Sequence, residues 1–308
     1  MECVLLGSGG MMPMHYRMLT ALVVRLKGCN YLFDSGEGTQ IGMKASKAGV
    51  KSLRVLAVTH LHADHCLGIP GVLMLRAQVE NPGPLTIIGP PKIEQFITQT
   101  RETLDFTINY NIEFIEWSPD HSEIAYQDES LKILWAPLKH STFCLGYRIE
   151  ENHRPGRFLV EQAEKLGIPP GPLRGMLQRG QSIHLDDGTE IRSEQVMGEP
   201  RRGRCLAYVV DTEPTENVLR LCDRADMAFI EGMYLPDLEQ EARIKQHMTI
   251  DDATRIAISA NVHQAVLVHI SPRYKASDLP ELEKTAKSAC EKAEMGIDLN
   301  RYHIPFPD

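Results

Sequence analysis

One short stretch constrains this chain more than any other, because residues 55–68 read VLAVTHLHADHCLG. An apolar, strand-like run leads directly into three histidines and one aspartate within six residues, and a helical pattern begins after them. Imidazole nitrogens and carboxylate oxygens are ligands that suit zinc. A tight turn lets His60 and His62 converge on one ion, whereas Asp64 and His65 point toward a second. A histidine-rich surface loop is the alternative, but the position directly after an apolar strand favours a metal site.

The remaining ligands must come from other strand ends, because four side chains cannot complete the coordination of two ions. Three downstream residues each follow an apolar, strand-like run as His60 does, namely His140, Asp211 and His269. Taken singly, each of them could be an ordinary polar residue at the end of a strand. Taken with the first cluster, they predict a site for two metal ions.

The pattern of short apolar runs and helical periods predicts an α/β chain with mixed sheets. Helical periods occur around residues 66–79, 90–103, 215–222, 237–245, 250–260 and 278–291. The chain has 308 residues, of which 43% are hydrophobic and 24% are charged, values that are typical of a folded globular protein. We therefore expect a single domain over residues 1–308, with one segment inserted into it.

The inserted segment, residues 152–204, differs in composition from the rest of the chain. It is rich in proline and glycine, with GIPPGPLRG at 167–175, and it interrupts two clear strands, so we interpret it as a flexible arm. Its cations could hold folded RNA through backbone contacts, but acidic residues accompany them, and a merely solvated loop is the alternative that charge alone leaves open. The basic residues singled out in and beside the arm are Arg154, Arg157, Lys165, Arg174, Arg179, Arg201, Arg202 and Arg204.

Charge, cysteine content and hydropathy exclude several classes of protein. The net charge of −8 argues against nonspecific nucleic-acid binding by the whole surface, but it allows a local basic patch. The seven cysteines are an odd number without a CxxC pair, so we expect free thiols rather than disulfides. No apolar run is long enough for a transmembrane helix and the first residues lack a leader pattern, which predicts no membrane partner and a cytoplasmic location.

Four stretches of the sequence together resemble one known family. The histidine motif is followed by GIPG at 68–71, and residues 33–40 read FDSGEGTQ. The arm motif at 167–175 is similar to a glycine-proline arm that grips the tRNA elbow, and residues 269–274 read HISPRY. In these motifs, and along nearly its whole length, the chain resembles the ribonuclease Z family of the metallo-β-lactamase superfamily.

The resemblance implies a four-layer αββα metallo-β-lactamase sandwich with an inserted exosite arm. It also implies a homodimer with two zinc ions per subunit that removes the 3′ trailer of precursor tRNA through a metal-activated hydroxide. Manganese or iron would suit the same donor set. Carried over by position, the ligands are His60, His62 and His140 on one ion, Asp64, His65 and His269 on the other, and Asp211 between them.

The resemblance also assigns catalytic and substrate-binding roles. Asp64 would orient the hydroxide as well as bind metal, and His247 would protonate the departing 3′ oxygen. An exposed position before a helix is the alternative for His247. Arg273 would lie near the phosphate. In the arm, the residues expected to contact the substrate are Pro170, Gly171 and Pro172.

Three motifs depart from the family pattern and keep other interpretations open. Residues 210–213 read VDTE where the family has Gly-Asp-Thr-Arg, and residues 231–234 read EGMY in place of Glu-Ala-Thr-Phe. Residues 247–249 read HMT in place of His-Ser-Thr. A second hypothesis is therefore a metal-dependent phosphodiesterase of a small or cyclic phosphodiester. A third is a binding protein that kept the fold without turnover, although all seven ligand positions are filled.

Overall fold

The computed structural model describes residues 1–307, which form sixteen strands and ten α-helices. The strands are β1 (Glu2–Gly7), β2 (Ala21–Leu26), β3 (Cys29–Phe33), β4 (Leu53–Ala57), β5 (Leu85–Gly89), β6 (Ile112–Glu116), β7 (Ile124–Gln127), β8 (Leu131–Leu138), β9 (Cys144–Glu151), β10 (Ile183–His184), β11 (Glu190–Ile191), β12 (Cys205–Val209), β13 (Met227–Glu231), β14 (Ala265–Val268), β15 (Ala293–Met295) and β16 (Arg301–His303). The helices are α1 (Thr39–Ser46), α2 (Ala63–Cys66), α3 (Ile69–Ala77), α4 (Ile93–Thr103), α5 (Val160–Lys165), α6 (Pro172–Gln178), α7 (Glu216–Cys222), α8 (Glu239–Lys245), α9 (Ile250–Ser259) and α10 (Leu279–Ala289).

The chain divides into two compact units, each with a core of its own. The first unit comprises residues 1–150 and 204–306, and the second comprises residues 151–203 with the last described residue. The sequence predicts the inserted arm over residues 152–204. None of the ten helices is both long and apolar enough to cross a membrane, and the seven cysteines are free thiols.

Two seven-stranded sheets form the first unit. One has the order β16-β1-β2-β3-β4-β5-β6, with parallel pairing from β3 to β6. The other has the order β15-β14-β13-β12-β9-β8-β7, with parallel pairing from β12 to β15. The parallel strands of each sheet end at one edge, and short connections there can bring side chains from different strands together.

Helices cover the outer face of each sheet, so every central strand is buried on both sides. In β1, Cys3 and Leu5 point into the core between the sheets, while Val4 and Leu6 pack under the outer helices. Side chains of α1, α3 and α4 complete the outer core of the first sheet, and those of α7, α9 and α10 complete that of the second. This burial on two faces explains the continuous apolar runs, and the four layers confirm the predicted αββα class.

The histidine motif differs locally from the sequence-based expectation. Asp64 and His65 lie inside the short helix α2, and a separate helix, α3, begins only at Ile69 with a proline in its first turn. The break lies at Gly68, where a Cβ atom would come within 1.9 Å of the Gly36 carbonyl oxygen. Only glycine permits this approach of two backbone segments, which holds the ligand turn against the loop after β3.

The second unit is small and has a simple construction. Its core consists of six fully buried side chains, those of Ala163, Ile168, Leu177, Ile183, Ile191 and Val196. At its base the two chain segments run antiparallel, with Arg154 and Arg201 exchanging both backbone hydrogen bonds at 2.8 and 2.9 Å. The unit therefore leaves the rest of the chain and returns to it at adjacent points.

Candidate metal centre

The ends of strands from both sheets place seven predicted ligands around one cavity. His60 lies three residues after β4, His140 two residues after β8, Asp211 two residues after β12, and His269 directly after β14. Together with the α2 motif, these side chains line or lie behind a cavity of about 450 Å³. The structure thus brings together all seven residues that the sequence singled out as ligands.

Their donor atoms form two overlapping groups of four, in each of which all four atoms lie within 4.8 Å of one another. The first group is His60, His62, His140 and Asp211. The second group is Asp64, His65, Asp211 and His269. Because Asp211 belongs to both groups, its two carboxylate oxygens can serve two neighbouring ions.

The spacings within the groups fit tetrahedral coordination. Zinc–nitrogen bonds of roughly 2.05 Å in a tetrahedron place neighbouring donor atoms about 3.3 Å apart. His62 Nδ1 lies 3.3 Å from His140 Nε2, and His65 Nε2 lies 3.3 Å from His269 Nε2. His60 Nε2 and Asp211 Oδ2 are 3.4 Å apart. The donor set is thus spaced for metal ions.

Strained backbone marks three strand ends, two that carry ligands and one that carries Asp34. Asp34 after β3, Asp211 after β12 and His269 after β14 have φ values of 56°, 53° and 59°, in the left-handed region that non-glycine residues rarely adopt. Such strain costs on the order of 1 kcal/mol or more per residue and collects at functional sites. A further sign is Gly10, where a Cβ atom would lie 2.5 Å from the His269 ring.

A second layer of hydrogen bonds orients the ligands. Asp34 Oδ2 lies 2.8 Å from His65 Nδ1, and Asp34 in turn accepts hydrogen bonds from the Thr59 amide and the Tyr208 hydroxyl. His140 Nδ1 donates to the Gln246 carbonyl at 3.1 Å. Each contact occupies one ring nitrogen and leaves the other directed at the cavity, as metal-bound histidines require.

Buried polar atoms without partners point to the same conclusion. Within residues 1–307, His60 Nε2 and Asp211 Oδ1 are buried and form no hydrogen bond of proper geometry, although His269 Nε2 lies only 2.9 Å from Asp211 Oδ1. Unpaired buried polar atoms are costly, and a bound cation would satisfy both. Burial and the neighbouring His65 lower the pKa of His60 to about 4, which keeps its imidazole neutral and able to bind metal.

His247 is buried beside the ligands rather than exposed before a helix. Its ring stacks on His269 at 5.6 Å between centroids and lies 5.0 Å from the His140 ring. His247 Nδ1 is 2.6 Å from Glu231 Oε1, and Glu231 is itself completely buried at the end of β13. Burial acts to lower the pKa of His247, but the Glu231 carboxylate outweighs it and holds this pKa above its usual value.

The turn that carries His247 is fixed by the two helices around it. Gln246 ends α8 in the left-handed conformation, and Thr249 starts α9 with a capping box that involves Asp252. Arg243 of α8 donates two hydrogen bonds to Asp252, at 2.9 and 2.7 Å. These contacts hold residues 246–249 in a tight turn that faces the cavity.

Arg273 is placed differently from the ligands. It does not line the cavity within the described residues; its guanidinium instead pairs with Glu241 at 2.6 Å and lies 5.1 Å from the centre of the Tyr234 ring. The cation that lines the cavity is Lys245, which the sequence patterns did not single out. Glu231 was noted only as part of a variant motif, and only its contact with His247 reveals its position.

The three arm residues lie in the second unit. Pro172 begins α6, Gly171 precedes it with a φ of 135°, and Pro170 is exposed. A positive φ at this position favours glycine, and a proline in the first turn suits a helix start. The local geometry explains the motif, and its role in substrate binding remains a prediction.

Comparison with known proteins places the chain in a family. A family model described as "Anti-Pycsar protein Apyc1" matches residues 1–116. The chain is 37% identical over 308 residues to ribonuclease Z of Treponema denticola, covering 100% of this chain and 99% of that protein. Ribonuclease Z of Treponema pallidum is also 37% identical, over 93% of this chain and 92% of the relative.

Solved structures share the fold. Human tRNase Z, short form, superposes with a TM-score of 0.71 at 20% identity, over 99% of this chain and 100% of the other. A metallo-beta-lactamase fold protein from Bacillus subtilis gives a TM-score of 0.67 at 17% identity, over 98% of this chain and 99% of the other. With its strand-end histidine and aspartate cluster and its full-length relatives at 37% identity, the chain belongs to the ribonuclease Z family.

Proposed function

We propose that this protein is a zinc-dependent endoribonuclease that removes the 3′ trailer of precursor tRNA. The observation that carries the proposal is the pair of ligand groups that share Asp211 and lie beside the buried Glu231–His247 pair. Phosphodiester hydrolysis needs charge neutralisation at the phosphate, an activated water and a proton for the leaving oxygen. The relatives named ribonuclease Z support the choice of substrate.

Two divalent ions held by the seven ligands would supply Lewis acidity toward the phosphate and a lowered pKa for coordinated water. We assign His60, His62 and His140 to one ion, Asp64, His65 and His269 to the other, and Asp211 to both. Zinc fits best because histidine nitrogens dominate the donor set, and manganese is the main alternative.

Asp64 has a second task in this proposal. Its Oδ2 atom accepts a hydrogen bond from the Met11 amide at 2.6 Å, which fixes the carboxylate orientation. The side chain reaches the cavity although the residue is only 8% exposed. A fixed carboxylate there can accept a hydrogen bond from the attacking water and direct it at phosphorus.

His247 supplies the proton that the departing 3′ oxygen needs. The Glu231 carboxylate at 2.6 Å stabilises the protonated ring, and His247 lines the same cavity as the ligands. An alkoxide is a poor leaving group, so protonation as the P–O bond breaks lowers the barrier substantially. The buried position also fixes the ring through its stacking on His269.

The second unit is proposed as the tRNA-binding arm. Its side chains Arg157, Lys165 and Arg179 are exposed and form no ion pair with another residue in the described range. Exposed cations on a compact unit can contact the phosphates of a folded RNA and recognise its shape. Residues 151–203 carry eight basic and eight acidic side chains, so the proposal rests on these exposed cations and not on the net charge of the unit.

A homodimer is proposed as well. On α1, on α3 and between α2 and α3, the apolar side chains of Ile41, Met74 and Leu67 are 62%, 39% and 53% exposed. Exposed apolar side chains grouped on neighbouring helices favour association between copies. Sedimentation equilibrium tests this proposal, and a monomer at micromolar concentration would contradict it.

The experiment that tests the function is cleavage of a 3′-extended precursor tRNA by zinc-loaded protein. An Asp64→Ala variant and the aryl phosphodiester bis(p-nitrophenyl) phosphate serve as controls. A cut after the discriminator base that disappears in the variant supports the proposal. Hydrolysis of the aryl diester with intact tRNA would move the assignment to small or cyclic phosphodiesters, and inactivity on both would favour a noncatalytic protein.

A further inference from the structure

A group of charged side chains lies beside the metal cavity, and one of them is Arg273, which the sequence predicts near the phosphate. Lys245, the last residue of α8, pairs with Glu241 at 2.8 Å, and Glu241 also pairs with Arg273 at 2.6 Å. Both cations lie over the Tyr234 ring, 5.9 and 5.1 Å from its centre. The single carboxylate of Glu241 therefore pairs with both cations, so the three side chains together carry one net positive charge.

Lys245 stands out among the residues that line the cavity. Of those described, it is the only lysine or arginine, and its side chain is 44% exposed. Its ion pair with Glu241 is a partly exposed i,i+4 pair, which contributes little to helix stability. The charge is therefore available to a ligand that enters the cavity, and a phosphate could replace Glu241 as its partner.

The position of Lys245 favours contact with the phosphate next to the scissile one. The following residues face the cavity floor, since Gln246 accepts a hydrogen bond from His140 and His247 stacks on His269. The Lys245 ammonium is instead held toward Glu241 and the Tyr234 ring, whose centroid lies 6.1 Å from that of the His247 ring. A polynucleotide brings flanking phosphates to such a position, and a small diester does not.

We propose that Lys245 binds a phosphate adjacent to the scissile phosphate, exchanging Glu241 for it, so that the enzyme favours a polynucleotide over a small phosphodiester. This inference rests on the proposed function and adds a specificity-determining residue to it. Glu241 acts in the opposite sense, because its carboxylate competes with the phosphate for the same ammonium group.

The first test compares Lys245→Gln with Lys287→Gln. Lys287 is a matched control because it forms an i,i+4 ion pair with Glu283 at 2.6 Å on α10 and does not line the cavity. Lys245→Gln should lower kcat/KM for precursor tRNA by roughly two- to fivefold at low salt, the value of one partly screened charge contact. It should reduce the slope of log kcat/KM against log salt by about 0.7, the value for one phosphate of a single strand.

Hydrolysis of bis(p-nitrophenyl) phosphate should change less than roughly twofold in Lys245→Gln, because this diester has no second phosphate. Lys245→Arg should retain most of the tRNA activity, since a cation remains. Glu241→Gln should lower KM for tRNA, opposite to Lys245→Gln, whereas a structural role of the pair would make both changes deleterious.

A binding measurement separates this inference from the proposed function. The affinity for the same RNA is measured with Asp64→Ala protein and with the double variant that also carries Lys245→Gln. The salt slope of the double variant should be lower by the same amount as in the kinetic test, whether or not the wild-type protein cleaves. An unchanged slope, equal losses on RNA and on the aryl diester, or a loss in Lys287→Gln as large as in Lys245→Gln would overturn the inference.

Discussion

The two compact units of this protein are built in opposite ways. In the first unit, the candidate metal centre lies on strand ends between two large sheets, and its ligands are buried and oriented by a second layer of hydrogen bonds. In the second unit, a core of six buried side chains supports a short two-stranded sheet, two helices and exposed cations. The comparison teaches that chemistry requires rigid placement, whereas the proposed contacts of the second unit with RNA phosphates would require mainly charge and reach.

If that division is right, the largest effect comes from removing the residue that both ligand groups share. Asp211→Ala should lower cleavage of both tRNA and the aryl diester by at least about 10³-fold, because neither ion keeps its full donor set. Elemental analysis should find fewer metal ions per chain. Asp128→Asn is the control. Its carboxylate accepts hydrogen bonds from backbone amides of the turn before β8, at the end of that strand opposite His140. Normal metal content in Asp211→Ala would contradict the assignment.

The next effect separates the two substrates within the first unit. His247→Ala should lower tRNA cleavage by about 10³-fold, because general acid catalysis typically contributes 10²–10⁴-fold when the leaving group is an alkoxide. The aryl diester needs little protonation of its leaving group, so its hydrolysis should fall far less. His263→Ala, an exposed histidine just before β14, is the control. Equal losses on both substrates would exclude the acid role and point to a structural one.

Removal of the second unit tests its proposed role in binding tRNA. Because Arg154 and Arg201 already pair as an antiparallel bridge, residues 155–200 can be replaced by an Asn-Gly turn without disturbing that pair. This variant should lose about 10²-fold in kcat/KM for precursor tRNA through lost phosphate contacts. Hydrolysis of the aryl diester should stay within roughly twofold of the wild type, since the first unit has cores of its own. Parallel loss of both activities would contradict the division.

The smallest expected effect concerns the carboxylate behind His247. Glu231→Gln should lower kcat on tRNA at neutral pH by about tenfold, as expected for a residue that orients a catalytic histidine and stabilises its protonated form. His247 must be protonated to act as an acid, so activity falls as pH rises through its pKa. Glu231 raises this pKa, and its loss should therefore move the alkaline limb of the pH–rate profile to lower pH.

Glu283→Gln is the matched control for that variant, because the Glu283 carboxylate accepts a hydrogen bond from the Met295 amide at 2.6 Å outside the cavity. Its pH profile should be that of the wild type. An alkaline limb that stays in place in Glu231→Gln would show that Glu231 does not control the protonation of His247.

Much of the fold was predictable because its signals are local. Strands buried on two faces appear as apolar runs, and five of the six predicted helices of the first unit occur within a few residues of their expected bounds. The sixth, predicted over 66–79, begins only at Ile69, and a separate short helix that contains Asp64 precedes it. That break depends on the contact of Gly68 with Gly36, residues far apart in the chain.

The sequence by itself determined which side chains could bind metal, since each ligand follows an apolar strand and the motif at 60–65 is self-contained. Only the tertiary structure decided the partners that tune them: Asp34 behind His65, Glu231 behind His247, and Glu241 between Lys245 and Arg273. In the first two of these contacts, a carboxylate at a strand end pairs with a histidine that lies 31 and 16 residues farther along the chain, respectively. Periodicity reports on neighbours along a strand or helix, whereas contacts of this kind exist only once the strands are ordered into sheets and their carboxyl ends meet at one edge.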